Sequence, residues 1–91
     1  MLEKEIQRRV IDYARHKRVI CYKMDAKNAI GVPDYLCLAS SGDVFFIEFK
    51  QLGRKPTAMQ VREHVRLMAN NISVYVVDSV EVGKGVIDEN C

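Results

Sequence analysis

Asp34, Glu48 and Lys50 have side-chain types and a spacing that could do chemistry together. Asp34 follows a proline, while Glu48 and Lys50 stand two residues apart in the apolar run FFIEFK at 45–50. Burying a charge in such a strand costs free energy unless the charge is paired. Carboxylate oxygens are ligands that Mg²⁺ and Mn²⁺ prefer, and a lysine ammonium suits an anionic group. The three residues could therefore form a metal site with a lysine beside it, if the fold brings them together.

The elements that must position these residues are two neighbouring apolar runs. DYLCLA at 34–39 and DVFFIEFK at 43–50 are separated by SSG at 40–42. Apolar runs joined by a short turn of this composition predict a β-hairpin. Side chains alternate between the two faces of a strand, so Glu48 and Lys50 share one face.

The length of the turn decides whether Asp34 lies on that same face. A three-residue loop with glycine in its third position sets Ala39 opposite Asp43, and counting back sets Asp34 directly opposite Glu48. Directly opposed residues have Cβ atoms about 4.5–5.5 Å apart. A two-residue loop would instead pair Asp34 with Phe49 and separate the two carboxylates onto opposite faces. The glycine favours the three-residue turn.

Two opposed carboxylates repel each other and raise each other's pKa unless a cation lies between them. A divalent metal, Mg²⁺ or Mn²⁺, would satisfy Asp34 and Glu48, and Lys50 would then face a metal-bound water or an anion. A metal lowers the pKa of a water and balances phosphate charge, while an ammonium steadies the nucleophile or the pentavalent state. The set therefore predicts hydrolysis of a phosphodiester.

Hydrophobic spacing and turn residues predict the remaining elements. In chain order these are an amphipathic helix at 2–17, a strand at 19–24, a loop at 25–33, the hairpin, a loop at 51–56, a helix opening at Thr57, a strand at 73–78 and a weakly indicated short last helix at 79–91. TAMQ at 57–60 is a capping box with Gln60 at N3, and Asn70 and Asn71 are expected to end that helix. Its apolar side carries Val61, Val65, Met68 and Ile72.

Length and charge set the outer bounds. The 91 residues, with a net charge of +2, suit one domain spanning 1–91 and permit a nucleic-acid partner. The first ten residues mix charged and apolar side chains, so we expect neither a signal peptide nor a membrane span, and place the protein inside the cell. Cys21, Cys37 and Cys91 lack metal-ligand spacing, and we expect the first two to be buried apolar residues.

The motifs resemble those of a known family. GVPD at 31–34 followed by EFK at 48–50 resembles the PD-(D/E)xK nuclease superfamily. More narrowly, a set of segments covering nearly the whole chain resembles the VRR-NUC family: EKEIQ at 3–7, GVPDYLCL at 31–38, FFIEFKQLGRKPTAMQ at 45–60 and VYVVDS at 74–79. That family includes small stand-alone phage nucleases and the catalytic domain of the Fanconi-associated nuclease. The resemblance implies an α/β, restriction-endonuclease-like fold with an αβββαβ core and a mixed sheet flanked by helices.

The same resemblance implies roles for individual residues. Asp34 and Glu48 would be metal ligands, with the Phe49 carbonyl as a third, and Lys50 would be the catalytic lysine. Gln60 matches a glutamine that helps to position the site.

A glutamate on the first helix also contributes in this family. Glu3 lies one turn before Ile6 on the inward side, whereas Glu5 falls with Arg9 on the polar side, so Glu3 is the preferred candidate. The first turn of a helix can fray, which leaves Glu5 open.

Arg54 and Lys55 directly follow the active-site strand, where a DNA backbone would have to pass, and we expect both to bind nucleic acid. The resulting prediction is a Mg²⁺- or Mn²⁺-dependent, structure-sensitive DNA endonuclease that resembles Holliday-junction resolvases. We expect a homodimer that acts on branched DNA in the cytoplasm of a phage-infected or bacterial cell. A less specific DNA or RNA nuclease and a non-catalytic module that binds branched DNA are the alternatives.

Simpler interpretations exist for several of these residues. Glu48 and Lys50 could be an ordinary ion pair, Asp34 a turn residue, and Gln60 only a helix cap. His16 and His64 are expected on polar helix faces, without a catalytic role.

Overall fold

A computed structural model describes residues 1–25 and 30–91; the predicted loop at 25–33 includes residues 26–29, which lie outside the described residues. The described elements are α1 (Glu3–His16), β1 (Ile20–Lys23), β2 (Tyr35–Leu38), β3 (Val44–Phe49), α2 (Ala58–Ala69), β4 (Ser73–Val77) and α3 (Val80–Asn90). Each predicted element is present, with bounds that differ by one or two residues at most ends.

The strands form one mixed sheet in the order β1-β2-β3-β4. β1, β2 and β3 pair antiparallel, and β4 pairs parallel to β3. A parallel pair needs a crossover connection, and α2 provides it. The predicted α/β fold, with an αβββαβ core and a mixed sheet flanked by helices, is confirmed.

The hairpin between β2 and β3 has the predicted register. Tyr35 lies opposite Ile47, and the Ala39 amide donates to the Asp43 carbonyl at 2.9 Å. Gly42 has a φ of +96°, so the turn is the three-residue kind that requires glycine in its third position. Asp34 therefore falls opposite Glu48, as the parity of the turn predicts.

The two faces of β3 meet different layers. Phe45, Ile47 and Phe49 are fully buried in a core that also contains the inward residues of α1 and α3. Glu48 points to the other face, where α2 covers it. Burial on both sides explains why this strand reads as almost continuously apolar, with one acidic residue in it.

The chain ends in a full helix that sequence signals indicated only weakly. α3 has 11 residues, and its Val86 and Ile87 belong to the core. Gly83 and Gly85 lower its intrinsic helix propensity, which weakens the signal in the sequence. Gly83 is required by packing, because a Cβ there would lie 2.3 Å from Cγ2 of Val10 on α1. α3 is therefore part of the core and closes directly against α1.

The orientation of α2 is the opposite of what its hydrophobic pattern suggests. Val61, Val65 and Met68 are 47%, 56% and 49% exposed, although they form the apolar side of the helix. The side that faces the sheet carries Gln60 and the buried His64 instead. The polar side of α2 packs inward because the sheet face that it covers presents Glu48.

Within the residues described, no helix is both long and apolar enough to cross a membrane.

Candidate active site

Two hydrogen bonds hold Asp34 at the start of the hairpin, one to its backbone carbonyl and one to its side chain. Its carbonyl accepts from the Met24 amide at 2.8 Å, which continues the ladder of β1 and β2 beyond the assigned strands. Its Oδ2 accepts from the Phe49 amide at 2.7 Å. Counting from the bonded pair at the turn, Asp34 and Glu48 form a non-hydrogen-bonded pair, the kind in which opposed side chains lie closer together. The backbone thus fixes the Asp34 carboxylate beside that of Glu48.

Glu48 is a carboxylate in a buried position. The residue is 2% exposed. Its Oε2 accepts from Gln60 Nε2 at 3.1 Å and lies 4.0 Å from Lys50 Nζ. Burial, and then the neighbouring Asp34 carboxylate, raise the pKa of Glu48 to about 8, against a smaller opposing effect of the Lys50 ammonium. A cation bound beside this carboxylate would offset its desolvation and favour the ionised form.

Gln60 combines two roles that the sequence left as alternatives. Its side-chain Oε1 accepts from the Thr57 backbone amide at 2.9 Å, and its backbone amide donates to Thr57 Oγ1 at 3.2 Å. These two bonds complete the predicted capping box. Gln60 Nε2 meanwhile donates to Glu48. One side chain therefore both starts α2 and holds the acidic residue of β3.

Lys50, Glu3 and the predicted basic residues surround one depression. The depression has a volume of about 310 Å³ and is lined by Glu3, Lys50, Gln51, Arg54, Lys55 and Thr57. A turn closed by the Arg54 amide and the Gln51 carbonyl, at 2.9 Å, brings the loop back over the end of β3. The chain thus places an ammonium and a basic loop next to the paired carboxylates.

The two candidate glutamates of α1 have different surroundings. Glu3 lies on the rim of the depression, and its charge contributes to the raised pKa of Glu48. Glu5 is instead paired with Arg9 at 3.3 Å, one turn along the helix. The geometry favours Glu3 as the residue that faces the site.

His64 lies elsewhere than expected. We expected it on a polar, solvated helix face, but the residue is 5% exposed and its Nε2 is 3.6 Å from Glu48 Oε1. Burial and the nearby Lys50 lower the pKa of His64, which favours the neutral imidazole. A spacing of four residues could have indicated this, because a helix residue four positions after Gln60 shares its face. His16 is exposed, as expected.

The residues that could hold a metal are few but chemically suitable. In ranges 1–25 and 30–91, no group of three or more His, Cys, Asp or Glu side chains is arranged to hold a metal ion. Asp34 and Glu48 would supply two carboxylates, and a backbone carbonyl and waters would supply the rest, as is usual for Mg²⁺. Glu48 Oε1 is buried without a hydrogen bond, which leaves one oxygen of this carboxylate short of a partner. The hard oxygen donors fit Mg²⁺ or Mn²⁺.

Comparison with known proteins agrees with this geometry. No family model matches the sequence. The chain is 38% identical over 80 residues to "Putative nuclease p44" of Acyrthosiphon pisum secondary endosymbiont phage 1, with 88% of this chain and 86% of that protein covered. A solved structure described as a VRR_NUC domain superposes with a TM-score of 0.87 and 26% identity, covering 98% of this chain and 97% of the other. The nuclease relative and the superposed VRR_NUC structure both agree with the fold and the hairpin register described above. The chain therefore belongs to the VRR-NUC family of small nucleases.

Proposed function

We propose that the protein is a divalent-metal-dependent endonuclease that hydrolyses phosphodiesters in branched DNA. The observation that carries this proposal is the pairing across the hairpin. Asp34 is fixed by the Phe49 amide, Glu48 is buried opposite it, and Lys50 lies on the same face. An ordinary surface ion pair would not require a buried glutamate beside a second carboxylate.

In this proposal Asp34, Glu48 and the Phe49 carbonyl hold Mg²⁺ or Mn²⁺. The bound metal would supply an activated water and positive charge for the phosphate. Lys50 lies 15% exposed at the mouth of the site and 4.0 Å from Glu48, where its ammonium can contact the nucleophilic water or a phosphate oxygen. Gln60 keeps the Glu48 carboxylate in place, and Glu3 contributes from the rim.

DNA is the proposed substrate because of the depression beside Lys50. Arg54 and Lys55 line it and are exposed, so both can contact phosphates of a backbone that leads into the site. Such contacts position nucleic acid without reading its sequence. An enzyme that relies on such contacts does not need a particular base sequence, and we propose that it selects branched DNA by shape.

We also propose that two copies act together. Resolution of a four-way junction needs cuts in two strands, which one small site cannot make at once. The exposed stripe formed by Val61, Val65 and Met68 runs along α2, and β4 beside it is an edge strand of the described sheet. A stripe of this kind supports pairing with a second copy.

A cleavage assay tests the proposed activity. The wild-type protein is incubated with a labelled four-way DNA junction and Mn²⁺, beside Asp34→Ala, Lys50→Ala and the control Lys84→Ala, which changes an exposed lysine on α3. We expect junction cleavage by wild type and by the control, and a loss of about 100-fold or more for the two site variants, since each removes a ligand or a charge used in the transition state.

Two outcomes of that assay would contradict the proposal. One is cleavage that survives both site substitutions, and the other is cleavage that persists in EDTA. A panel of matched RNA and DNA forks, flaps and linear duplexes defines the substrate. Equal cutting of all of them would contradict selection of branched DNA and would indicate a less specific nuclease. Tight junction binding without cleavage in any metal would indicate a binding module.

A further inference from the structure

Two polar atoms buried beside the proposed metal site, Glu48 Oε1 and His64 Nε2, lack hydrogen bonds in the described structure. Both atoms are inaccessible to solvent. The two atoms face each other at 3.6 Å, and their residues are 2% and 5% exposed. Buried polar atoms normally find partners, so this pair needs an explanation.

The spacing on α2 explains how His64 reaches Glu48. Gln60 and His64 are four residues apart and therefore share one face of the helix. Gln60 Nε2 bonds Glu48 Oε2, and His64 Nε2 lies beside the other oxygen. α2 thus presents one polar side chain to each oxygen of the same carboxylate.

The chemistry of the pair depends on the ionisation of Glu48. A carboxylate that binds a metal is ionised, and an ionised carboxylate can only accept hydrogen bonds. A neutral imidazole has one N–H and one bare nitrogen. Next to ionised Glu48, Nε2 must be the nitrogen that carries the proton, because two lone pairs would repel each other. A movement of a few tenths of an ångström would then bring the atoms to ordinary hydrogen-bond distance.

We propose, building on the metal site of the proposed function, that His64 is a positioning residue for Glu48. Its Nε2–H donates to Glu48 Oε1 in the metal-loaded protein, and with Gln60 on Oε2 it holds the carboxylate in the orientation that Mg²⁺ or Mn²⁺ requires. His64 contacts no substrate. Its contribution is to metal affinity, in the way that outer hydrogen bonds orient metal ligands.

Binding of Mn²⁺ alone, without DNA, tests this role by isothermal titration calorimetry. The variants are His64→Leu, which keeps the volume but loses the donor, His64→Gln, whose amide can reach the Nε2 position, and His64→Asn, whose shorter amide cannot. His16→Leu is the control on an exposed histidine. We expect His64→Leu and His64→Asn to bind Mn²⁺ about 10- to 100-fold more weakly than wild type. His64→Gln should recover most of the affinity.

A purely structural role predicts a different pattern. If His64 only fills space, His64→Leu would retain the Mn²⁺ affinity of wild type, and His64→Gln would resemble His64→Asn; either result overturns the proposal. Asp34→Ala separates this failure from failure of the metal site itself. Should Asp34→Ala weaken Mn²⁺ binding while His64→Leu does not, the proposed function stands and the role of His64 falls. If wild type binds no Mn²⁺, both fall.

A second measurement does not depend on a folded leucine variant. Long-range ¹H–¹⁵N NMR spectra of the Mg²⁺-loaded wild-type protein report which imidazole nitrogen carries the proton. We expect the Nε2–H tautomer for His64. The Nδ1–H tautomer in the loaded protein would overturn the proposal, because Nε2 could then donate nothing to Glu48.

Discussion

At the scale of single residues, the site is built around the cost of burying Glu48. Its carboxylate is surrounded by Asp34, Gln60, Lys50 and His64. The Asp34 carboxylate disfavours the charge of Glu48, and the Lys50 ammonium offsets that charge only in part. Without a metal, the raised pKa of about 8 favours the protonated form of Glu48 in the folded protein below that pH. The neutral form lowers the cost of an acidic residue in this strand, and a cation bound in the proposed site would favour the ionised form.

This raised pKa predicts that the metal-free protein loses stability as the pH rises. From the ordinary value of 4.5 to about 8, the unfolded chain releases the Glu48 proton while the folded protein retains it, so unfolding becomes easier. His64 has a lowered pKa and acts in the opposite direction, but only below its ordinary value of 6.5. Between 6.5 and 8, we expect the free energy of unfolding in EDTA to fall by at most about 1.4 kcal/mol per pH unit.

Urea unfolding at several pH values in EDTA measures this slope. Glu48→Gln should flatten the profile in the same window, because a glutamine does not titrate. Saturating Mg²⁺ should also remove the fall, since the metal favours the ionised carboxylate. A wild-type profile that is already flat in EDTA would mean that Glu48 is ionised in the folded protein.

At the scale of elements, the hairpin could be predicted and the helix orientation could not. Side chains in strands alternate with a period of two, so a glycine in the third position of the turn was enough to place Asp34 opposite Glu48. A helix with an apolar side does not reveal which side meets the sheet. The polar side of α2 faces the sheet, where Gln60 and His64 lie beside the buried Glu48 carboxylate. His64 is buried because it lies on that side of the helix. The strand residues of the candidate site could thus be predicted from the sequence. Of the α2 residues that contact Glu48, only Gln60 was predicted.

The close contact between α1 and α3 predicts opposite effects for two glycines of one helix. At Gly83 an added Cβ would lie 2.3 Å from Cγ2 of Val10, a stiff and fully buried side chain. Gly83→Ala should therefore lower the free energy of unfolding by about 1–3 kcal/mol. Nothing lies within 4 Å of an added Cβ at Gly85, so Gly85→Ala should raise it by about 0.5–1 kcal/mol through helix propensity. Chemical denaturation measures both, and equal effects of the two variants would exclude the packing explanation.

At the scale of the whole molecule, the distribution of apolar side chains is uneven. One face of the sheet has a closed core with α1 and α3, whereas the outer side of α2 exposes three large apolar residues in helical spacing. Such a stripe is unusual on a face that stays in water. It supports the homodimer that the proposed junction cleavage requires.

Multi-angle light scattering at micromolar concentration tests the homodimer. We expect twice the mass of one chain for wild type and a shift to monomer for Val65→Asp, because a charge would be buried in the middle of the stripe. Val82→Asp, on an exposed position of α3, is the matched control and should remain dimeric. A wild-type protein that is monomeric with and without DNA would contradict the pairing.

The double use of Gln60 links the order of a helix to the occupancy of a site. The Gln60 side chain accepts one of the two hydrogen bonds that begin α2 and donates the bond that holds Glu48, so a change in one contact affects the other. By thermodynamic reciprocity, a ligand that stabilises Glu48 in its binding orientation also stabilises the first turn of α2. Fraying of that turn then weakens the binding of the same ligand by the same factor. If Glu48 binds a metal as proposed, the order of the first turn of α2 would report on metal binding, and local unfolding of that turn would weaken binding while the core on the other face of the sheet stays folded.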